Sequence, residues 1–453
     1  MSSSALNKVF QPSSVAVVGA SKEEGKLGHT VTKNLIEARC QATLYPVNPK
    51  AEEILGLKAY PNIDAIPGEV DMAVIVVPAK LVLGVIEQCA TKGVRAAVVI
   101  AGGFREVGPE GEKLERALIQ VARDAKMRLV GPNCQGINNP HIGLCATWPL
   151  IKMKGPVAVI TQSGTIGAAI SCWAEDERIG ISKCVALGNK VDVNECDLIE
   201  YFGQDPNTRA IAICLEGVTD GQRFIEVCSS VTRQKPIVAL KGGRTPAGMK
   251  AMESHTKSLA GRDEVFDAVC RRTGIIRVDT LEQLFDLAKA SAFLNPPKGR
   301  GVLVVTSSGG SGILASDTAQ QLGVELPEPS ERAKHKLGPV LPSQCILSNP
   351  FDLTMTTADK YELVIKETSS DPEINSFLAI FGDPIPGAAE AIDRARKSTD
   401  KPMLVAYLGG SDTEKIERLK MHEMGIPTFP SPERAVRALH GLLRYSQHLR
   451  GGR

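Results

Sequence analysis

The sequence lacks an excess of either charge, a membrane-length apolar run and a signal-peptide core. Its 53 basic and 51 acidic residues leave a net charge of +2, so no overall field points to nucleic acid or to an acidic membrane. No run approaches the roughly 20 apolar residues that cross a bilayer, and the N-terminal MSSSALNKVFQPSS has no apolar core. These absences predict a cytoplasmic protein that acts on small molecules, with no nucleic-acid or membrane partner.

Paired cysteines are also missing. The 11 cysteines are an odd, scattered set without a Cys-x-x-Cys pair, and no histidine stands at metal-ligand spacing. We therefore predict reduced thiols and no metal site. What the sequence does contain is an apolar fraction of 43% over 453 residues, which allows about three domains with well-filled cores.

Short apolar runs, each followed by a longer amphipathic stretch, recur through the first 130 residues, at 15–18, 42–47, 72–77, 96–100 and 127–130. This alternation predicts an α/β fold with a doubly wound parallel sheet. Ligands bind such sheets at the carboxyl ends of the strands. The candidate ligand contacts are therefore the residues at and after these ends: Gly19, Ala20, Ser21, Lys26, Leu27, Asn48, Pro49, Lys50, Val77, Pro78, Ala79, Gly102, Gly103 and Phe104.

The first of these loops, GASKEEGKLGHT, is glycine-rich and leads into a predicted helix, whose first amides can hold a phosphate. It is not a clean G-x-G-x-x-G, and the second run is followed by Asn48, Pro49 and Lys50 instead of the acidic residue that binds the NAD ribose. A lysine there favours a phosphorylated ribose. Coenzyme A therefore fits better than NAD; NADP remains an alternative, as does a purely structural role for the glycines.

The rest of the chain is a degenerate repeat. Residues 157–170 align without gaps with 302–315, and the order of matches continues downstream, with Asn189 and Asp192 on Asn349 and Asp352. We predict two copies of one α/β domain, at 131–295 and 300–453, joined by the breaker-rich stretch 295–299.

The two copies differ where the first one carries His255. Between the double glycine and the next matched glycine, the first copy takes the positions 243–274 and the second only 410–425. The additional residues predict a loop after a strand that ends at Leu240, carrying Lys241, Arg244, Lys250, Ser254, His255 and Thr256. An imidazole among cations and hydroxyls suits a phosphate. The alternative is a surface histidine on a solvated loop.

Two further features fit phosphoryl chemistry. Ser163, Gly164 and Thr165 begin a predicted helix whose free amides favour an anion, although Ser163 could be only a helix cap. Glu216, at the end of another predicted strand, could accept the Nδ1 hydrogen of an imidazole and leave Nε2 as the nucleophile, although it could equally be a solvated turn residue. In GPNCQG at 131–136, we interpret Cys134 as a small buried residue that lines a pocket.

The segments ESHTKSLAG, GPNCQG, TQSGTIG and VVGAS, with the strand-end Glu216, together resemble the alpha subunit of nucleoside-diphosphate-forming acyl-CoA synthetases. These enzymes are also called ADP-forming acetate:CoA ligases and are related to the succinyl-CoA synthetase alpha subunit. The resemblance covers essentially the whole chain. It implies a Rossmann-like CoA-binding domain at 1–130 followed by two flavodoxin-like domains, the first of which carries the phosphohistidine.

The resemblance also implies residue roles and partners. His255 would be phosphorylated with Glu216 as its catalytic partner, while Ser163, Gly164, Thr165, Ser254 and Thr256 would bind phosphate. Asn133 and Cys134 would join the CoA contacts. A carboxylic acid, CoA and ATP would give acyl-CoA, ADP and phosphate through an acyl phosphate. A beta subunit with an ATP-grasp domain would hold ATP, ADP and Mg²⁺ in an α2β2 heterotetramer.

One departure stands in the histidine segment. Family members usually read SHTGALAG, whereas this chain has Lys257 and Ser258 in place of the first glycine and the alanine. Two alternatives stay open: a non-catalytic CoA-sensing module on the same fold, and an NADP-dependent dehydrogenase. The acid also stays open among acetate, branched, aryl and sulfonated acids.

Overall fold

The computed structural model describes residues 6–256, 261–354 and 356–451, with only the backbone helix described for 253–256. The described residues form two compact units. The first contains the chain up to Asp176 and Gly180–Arg277, and the second contains Glu177–Ile179 and the chain from Val278 onward. The predicted domain boundaries at 130 and at 295–300 stay predictions.

The first unit begins with a five-stranded parallel sheet in the order β2-β1-β5-β6-β7. Alternate residues of β1 enter two separate apolar clusters, one on each face, because both faces are covered. A short 3₁₀ turn at Arg105–Val107 lies within this part of the chain, and a second, at Pro140–Ile142, follows it. The elements are α1 (Asn7–Phe10), β1 (Ser14–Val18), α2 (Leu27–Glu37), β2 (Thr43–Val47), the hairpin β3 (Glu53–Ile54) and β4 (Leu57–Lys58), β5 (Met72–Ile75), α3 (Ala79–Lys92), β6 (Ala96–Val99), α4 (Pro109–Asp124) and β7 (Arg128–Val130).

A seven-stranded sheet follows, in the order β14-β13-β12-β10-β11-β8-β9. Strands β11, β10, β12 and β13 are parallel neighbours, and the antiparallel hairpin β8–β9 extends one edge. The elements are β8 (Gly136–Asn139), β9 (Leu144–Ala146), β10 (Lys154–Thr161), α5 (Gly164–Asp176), β11 (Ile181–Ala186), α6 (Glu195–Gln204), β12 (Ala210–Leu215), α7 (Gly221–Val231), β13 (Ile237–Lys241), α8 (Pro246–Thr256), α9 (Asp263–Thr273) and β14 (Ile276–Val278).

The second unit has a five-stranded parallel sheet in the order β16-β15-β17-β18-β19. Its elements are α10 (Leu281–Phe293), β15 (Val302–Thr306), α11 (Gly309–Gln321), α12 (Glu331–Leu337), β16 (Phe351–Asp352), α13 (Ala358–Thr368), β17 (Ser376–Phe381), α14 (Ala388–Lys397), β18 (Met403–Tyr407), α15 (Ser411–Glu423), β19 (Thr428–Phe429) and α16 (Pro432–Gly451). The α/β class with doubly wound sheets is confirmed.

The repeat is visible in the topology. Without the added hairpin β8–β9, the second sheet has the order β14-β13-β12-β10-β11. The third sheet repeats this order as β19-β18-β17-β15-β16. The turn after the first strand of each copy has the same hydrogen bonds. Thr161 Oγ1 donates to Ser163 O at 2.8 Å and accepts from Ser163 N at 3.1 Å, while Thr306 and Ser308 form the same pair at 3.0 and 2.9 Å.

One local prediction is wrong. The stretch after β13 was expected to be a loop, but residues 246–256 form the helix α8, and β13 extends to Lys241. Thr245 and Pro246 explain the difference, because threonine caps helices and proline fits the first helical position. Thr245 Oγ1 accepts the Gly248 N–H at 3.1 Å, as a helix cap does.

Candidate functional site

The strand-end loops of the first sheet lie side by side. Asn48 Nδ2 donates to Ala20 O at 2.8 Å, which joins the loops after β2 and β1. A Cβ at Gly19 would lie 2.9 Å from Val77 Cγ1, so the loop after β5 adjoins the loop after β1. Because the five strands are parallel, these loops meet at one edge of the sheet. The predicted CoA residues in these loops are therefore neighbours in space.

The row of strand-end loops continues across β6 and β7. A Cβ at Gly103 would lie 2.9 Å from Ala79 Cβ, and one at Gly102 would lie 3.1 Å from Asn133 Oδ1. Asn133 is fixed by its own N–H, which donates to Ala101 O at 2.8 Å. The loops therefore form a continuous row in which glycines let the backbones approach. This is the edge of a parallel sheet at which ligands bind.

Two lysines among the predicted CoA contacts, Lys26 and Lys50, differ in their surroundings. Lys26 is the residue before α2, and its Nζ pairs with Glu23 Oε1 at 2.8 Å on the surface. Lys50 is exposed, and its N–H donates to Asn48 Oδ1 at 2.8 Å. Ser21 is buried and its Oγ accepts the Glu23 N–H at 3.0 Å. A ligand phosphate at Lys26 would compete with Glu23, whereas Lys50 is the more available cation.

Cys134 is buried and its Sγ donates to Val99 O at 3.2 Å. Burial raises the pKa of its thiol to about 12. A thiol that keeps its proton near neutral pH is a poor nucleophile. This agrees with the interpretation of Cys134 as a small lining residue.

The segment after Cys134 connects these strand-end loops to α5. A Cβ on Gly164, the first residue of α5, would overlap the side chain of Gln135. The loop 131–136 therefore lies against the amino end of α5, which leaves the N–H groups of Gly164 and Thr165 without an intrahelical acceptor. The Ser163 N–H is already bonded to Thr161 Oγ1 at 3.1 Å. The predicted CoA contacts Asn133 and Cys134 are thus close in the chain to Gln135, which touches the start of the predicted phosphate contacts at 163–165.

Glu216 follows β12 beside the connection that leads to α8. Gln162 Oε1 accepts the N–H groups of Glu216 at 2.7 Å and Gly217 at 3.1 Å. Gly242 N–H donates to Leu215 O at 2.8 Å, and a Cβ at Gly242 would lie 3.9 Å from Glu216 Cγ. The carboxylate is therefore near the start of the segment that carries the histidine.

Ser254, His255 and Thr256 form the last turn of α8. Their side chains lie outside the described part of the chain, as do residues 257–260 with the departures Lys257 and Ser258. Of the cations predicted around them, Lys241 is buried, and its Nζ donates to Gly242 O at 2.9 Å. Burial lowers the pKa of Lys241, against the attraction of Asp263.

The sequence analysis missed the residues that fix these loops. These residues are Gln162, Asn189, Glu106, Lys190 and Glu195. A polar residue close after an apolar strand, one position after it for Gln162 and three for Asn189, is the signal that could have found both. Nothing local marks Glu195, because its partners lie in other loops.

The chain matches known protein families over both of these regions. Residues 13–140 match the CoA binding domain family, and residues 154–291 match the family described as succinyl-CoA ligase like flavodoxin domain. Subunit alpha of acetate–CoA ligase [ADP-forming] I from Pyrococcus furiosus is 42% identical over 98% of both chains. Acetate–CoA ligase [ADP-forming] I from Archaeoglobus fulgidus is 41% identical over 98% of this chain, which spans 64% of that longer protein.

A solved structure agrees. The dinucleotide forming acetyl-coenzyme A synthetase 1 of Ca. Korarchaeum cryptofilum, in complex with phosphate and ADP, superimposes with a TM-score of 0.92 at 37% identity, covering 99% of this chain and 98% of that one. The fold and these matches define an acid–thiol ligase component. The chain belongs to the family of ADP-forming acyl-CoA synthetases and aligns along its length with their alpha subunits. A sensing module and a dehydrogenase are both less well supported.

Among the described residues, no helix is long and apolar enough to cross a membrane.

Proposed function

We propose that this chain binds CoA in its first domain and carries a phosphoryl group on His255. A beta subunit with an ATP-grasp domain would bind ATP, ADP and Mg²⁺, in an α2β2 assembly. Two findings support a partner: the relative at 42% identity is named subunit alpha, and a longer relative extends beyond the aligned region. The 11 free cysteines favour a reducing compartment such as the cytoplasm.

The reaction divides into three transfers. His255 Nε2 attacks the γ-phosphorus of ATP and ADP leaves. A carboxylate oxygen of the acid then takes the phosphoryl group, which gives an acyl phosphate and returns the imidazole. Finally the CoA sulfur attacks the acyl carbon, inorganic phosphate leaves, and the thiol proton is released. Acetate is the first acid to assay, because the relatives named above act on acetate or form acetyl-CoA by their names.

This chain would supply electrostatic groups to these steps. The Glu216 carboxylate would fix the imidazole tautomer and stabilise the cation that forms when Nε2 is phosphorylated. The amides at the start of α5 would hold the phosphate as it arrives or leaves. The observation that carries the proposal is the placement of Glu216, which Gln162 holds beside Gly242 and the connection to α8.

The test is phosphorylation of the chain by labelled ATP in the presence of its partner subunit. The label should be lost in acid and retained in alkali, since a phosphoramidate behaves so and a phosphoserine does not. His255→Ala should abolish it. Glu216→Gln should slow labelling about tenfold, which is about 1.4 kcal/mol of barrier, without changing CoA binding.

The control is His335→Ala, which removes an exposed histidine of α12 in the second unit and should leave labelling intact. Acid-stable label, or label that persists in His255→Ala, would place the phosphoryl carrier on another residue.

A further inference from the structure

Residues 187–193, which connect β11 to α6, are called the crossover segment. Hydrogen bonds fix this segment along the end of β7 and the loop that follows it. Val193 N–H donates to Leu129 O at 3.1 Å, and Asn189 N–H donates to Pro132 O at 2.9 Å. A Cβ at Gly188 would overlap the carbonyl oxygens of Pro132 and Asn133. The backbone of this segment has little freedom to shift relative to the row of CoA loops.

The side chain of Asn189 reaches into that row. It is 2% exposed, and its Nδ2 donates to Glu106 Oε2 and to Glu115 Oε2, both at 2.8 Å. The other oxygen of Glu106 accepts the N–H groups of Gly103 at 2.6 Å and Phe104 at 3.1 Å. Asn189 thereby fixes the carboxylate that caps the Gly102–Phe104 turn.

The charge on Glu106 is maintained by these contacts. Burial raises the pKa of Glu106, but the hydrogen bonds from Asn189 and from the Gly103 and Phe104 amides outweigh it, so the pKa lies below its usual value. An ionised carboxylate accepts stronger hydrogen bonds than a neutral one. The turn is therefore set by a charged acceptor that Asn189 orients.

The side chain of Lys190, the next residue, contacts the loop after β12. Its side chain is 8% exposed, and its Nζ donates to Glu195 Oε2 at 2.9 Å and to Gly217 O at 2.6 Å. Glu195 Oε1 accepts the Thr219 N–H at 2.8 Å. Together with Gln162, these contacts hold the loop that begins at Glu216. Lys190 has a φ of +45°, a left-handed conformation that costs about 1–3 kcal/mol in a residue with a side chain.

The second copy of the domain lacks this arrangement. The sequence match of Asn349 with Asn189 is wrong, because Thr161 pairs with Ala186 and Thr306 pairs with Asp352, so the counterpart of the crossover segment follows Asp352. Asn349 instead precedes β16, and its Nδ2 donates to Val302 O at 2.7 Å and Pro327 O at 2.8 Å. Residues 353–357, which connect β16 to α13, contain neither asparagine nor lysine. The Asn189 and Lys190 side chains are thus present in the copy that is proposed to do chemistry and have no equivalent in the other.

We propose that Asn189 and Lys190 are positioning residues, which fix the CoA turn Gly102–Phe104 and the Glu216 loop from one rigid segment. The inference rests on the proposed function, since it presupposes CoA at that turn and phosphoryl transfer beside Glu216. Because adjacent residues hold the two loops, the position of CoA at the Gly102–Phe104 turn is fixed relative to the Glu216 carboxylate.

The experiment uses the full chain with its partner subunit and measures two quantities, the dissociation constant of CoA by calorimetry and the rate of labelling by ATP. Asn189→Ala should weaken CoA binding about tenfold and leave labelling within about twofold, since the CoA turn loses its anchored cap. Lys190→Met should slow labelling about tenfold and leave CoA binding within about twofold, since the Glu216 loop loses its contacts.

The matched control is Lys183→Met. Lys183 Nζ pairs with Asp205 Oδ2 at 2.5 Å, and both side chains are buried in the same domain, but at the amino half of β11 away from these loops. It should lower the unfolding midpoint with neither readout changed. If Lys190→Met does not fold, Lys190→Met combined with Glu195→Gln is measured in its place, because this double variant leaves no unpaired buried carboxylate.

The outcomes are distinct. Separate defects in the two variants support the inference. Equal losses in both readouts, or losses no greater than those of Lys183→Met, overturn it. Glu216→Gln is assayed in parallel: normal labelling in that variant contradicts the proposed function, whereas slow labelling there with normal labelling in Lys190→Met contradicts only the positioning role.

Discussion

His422, on α15, shows how burial sets the charge of a single residue. It is 4% exposed, its Nε2 accepts the Thr428 N–H at 3.3 Å, and its Nδ1 has no hydrogen-bond partner among the described residues. Burial, followed by the charges of Lys289 and Arg418, lowers the pKa of His422 to about 3. The carboxylate Glu177 lies 3.7 Å from Nε2. The folded protein therefore keeps this imidazole neutral near physiological pH.

We predict a dependence of stability on pH from this residue. An unfolded histidine takes up a proton near pH 6.5, whereas folded His422 does so only near pH 3. Between these values the unfolded state binds the extra proton, so the free energy of unfolding should fall as the pH falls, by about 1.4 kcal/mol per pH unit below 6.5. Urea unfolding of the chain and of His422→Gln at pH 7.5 and 5.0 measures this.

The substituted chain should lose less stability between these two pH values than the original. His335→Gln, which removes an exposed histidine, should show the original dependence. Identical pH dependence in all three chains would contradict a depressed pKa at His422.

At the scale of elements, the site depends on how closely a helix start can approach a strand end. Gly28 is the second residue of α2, and a Cβ there would overlap the carbonyl oxygen of Gly19 in the first strand-end loop. Gly19 in turn is held by its N–H, which donates to Val47 O at 3.0 Å. The glycine is therefore required by packing between α2 and the loop, and the helical backbone alone would accept alanine.

Gly28→Ala should accordingly lower stability by about 1–3 kcal/mol, as overpacking against backbone does, and should weaken CoA binding. Gly84→Ala is the control, because Gly84 lies in α3 with nothing within 4 Å of an added Cβ. There alanine should stabilise by about 0.5–1 kcal/mol. Thermal unfolding and CoA calorimetry measure both. Unchanged CoA affinity in Gly28→Ala would show that this loop does not hold the ligand.

At the scale of the whole molecule, the two copies of the repeated domain share topology and turn geometry, but only the first has the segment that forms α8. Ser308 caps α11, with its Oγ accepting the Ser311 N–H at 3.4 Å, and the turn before it matches that of Ser163. The connection after β18 leads directly to α15, without the residues that form α8 in the first copy. We infer that the second copy serves assembly more than chemistry.

This inference predicts unequal effects of equivalent substitutions. Ser163→Ala should slow turnover because it removes a hydroxyl beside the proposed phosphate site. Ser308→Ala should cost about 1 kcal/mol of stability as a lost helix cap and leave turnover within about twofold. Steady-state rates with acetate, CoA and ATP, normalised to folded protein, measure the difference. Equal loss of phosphoryl transfer in both variants would mean that the second copy is catalytic.

The sequence by itself determined the α/β class, the repeat and the neighbourhood of the strand-end residues. Apolar runs report burial locally, and parallel strands bring their carboxyl ends to one edge whatever the details. It also gave the CoA preference, through Lys50 in place of an acidic residue, and the family through its motifs.

The tertiary structure decided which residues hold these loops. Asn189 and Glu106 are 83 residues apart and Gln162 and Glu216 are 54 apart, so no local pattern relates them. A hydrogen bond between two loops depends on how the strands beneath them are ordered and spaced, which is settled only when the sheets pack. The helix α8 is the reverse case, since its Thr245–Pro246 start was present in the sequence.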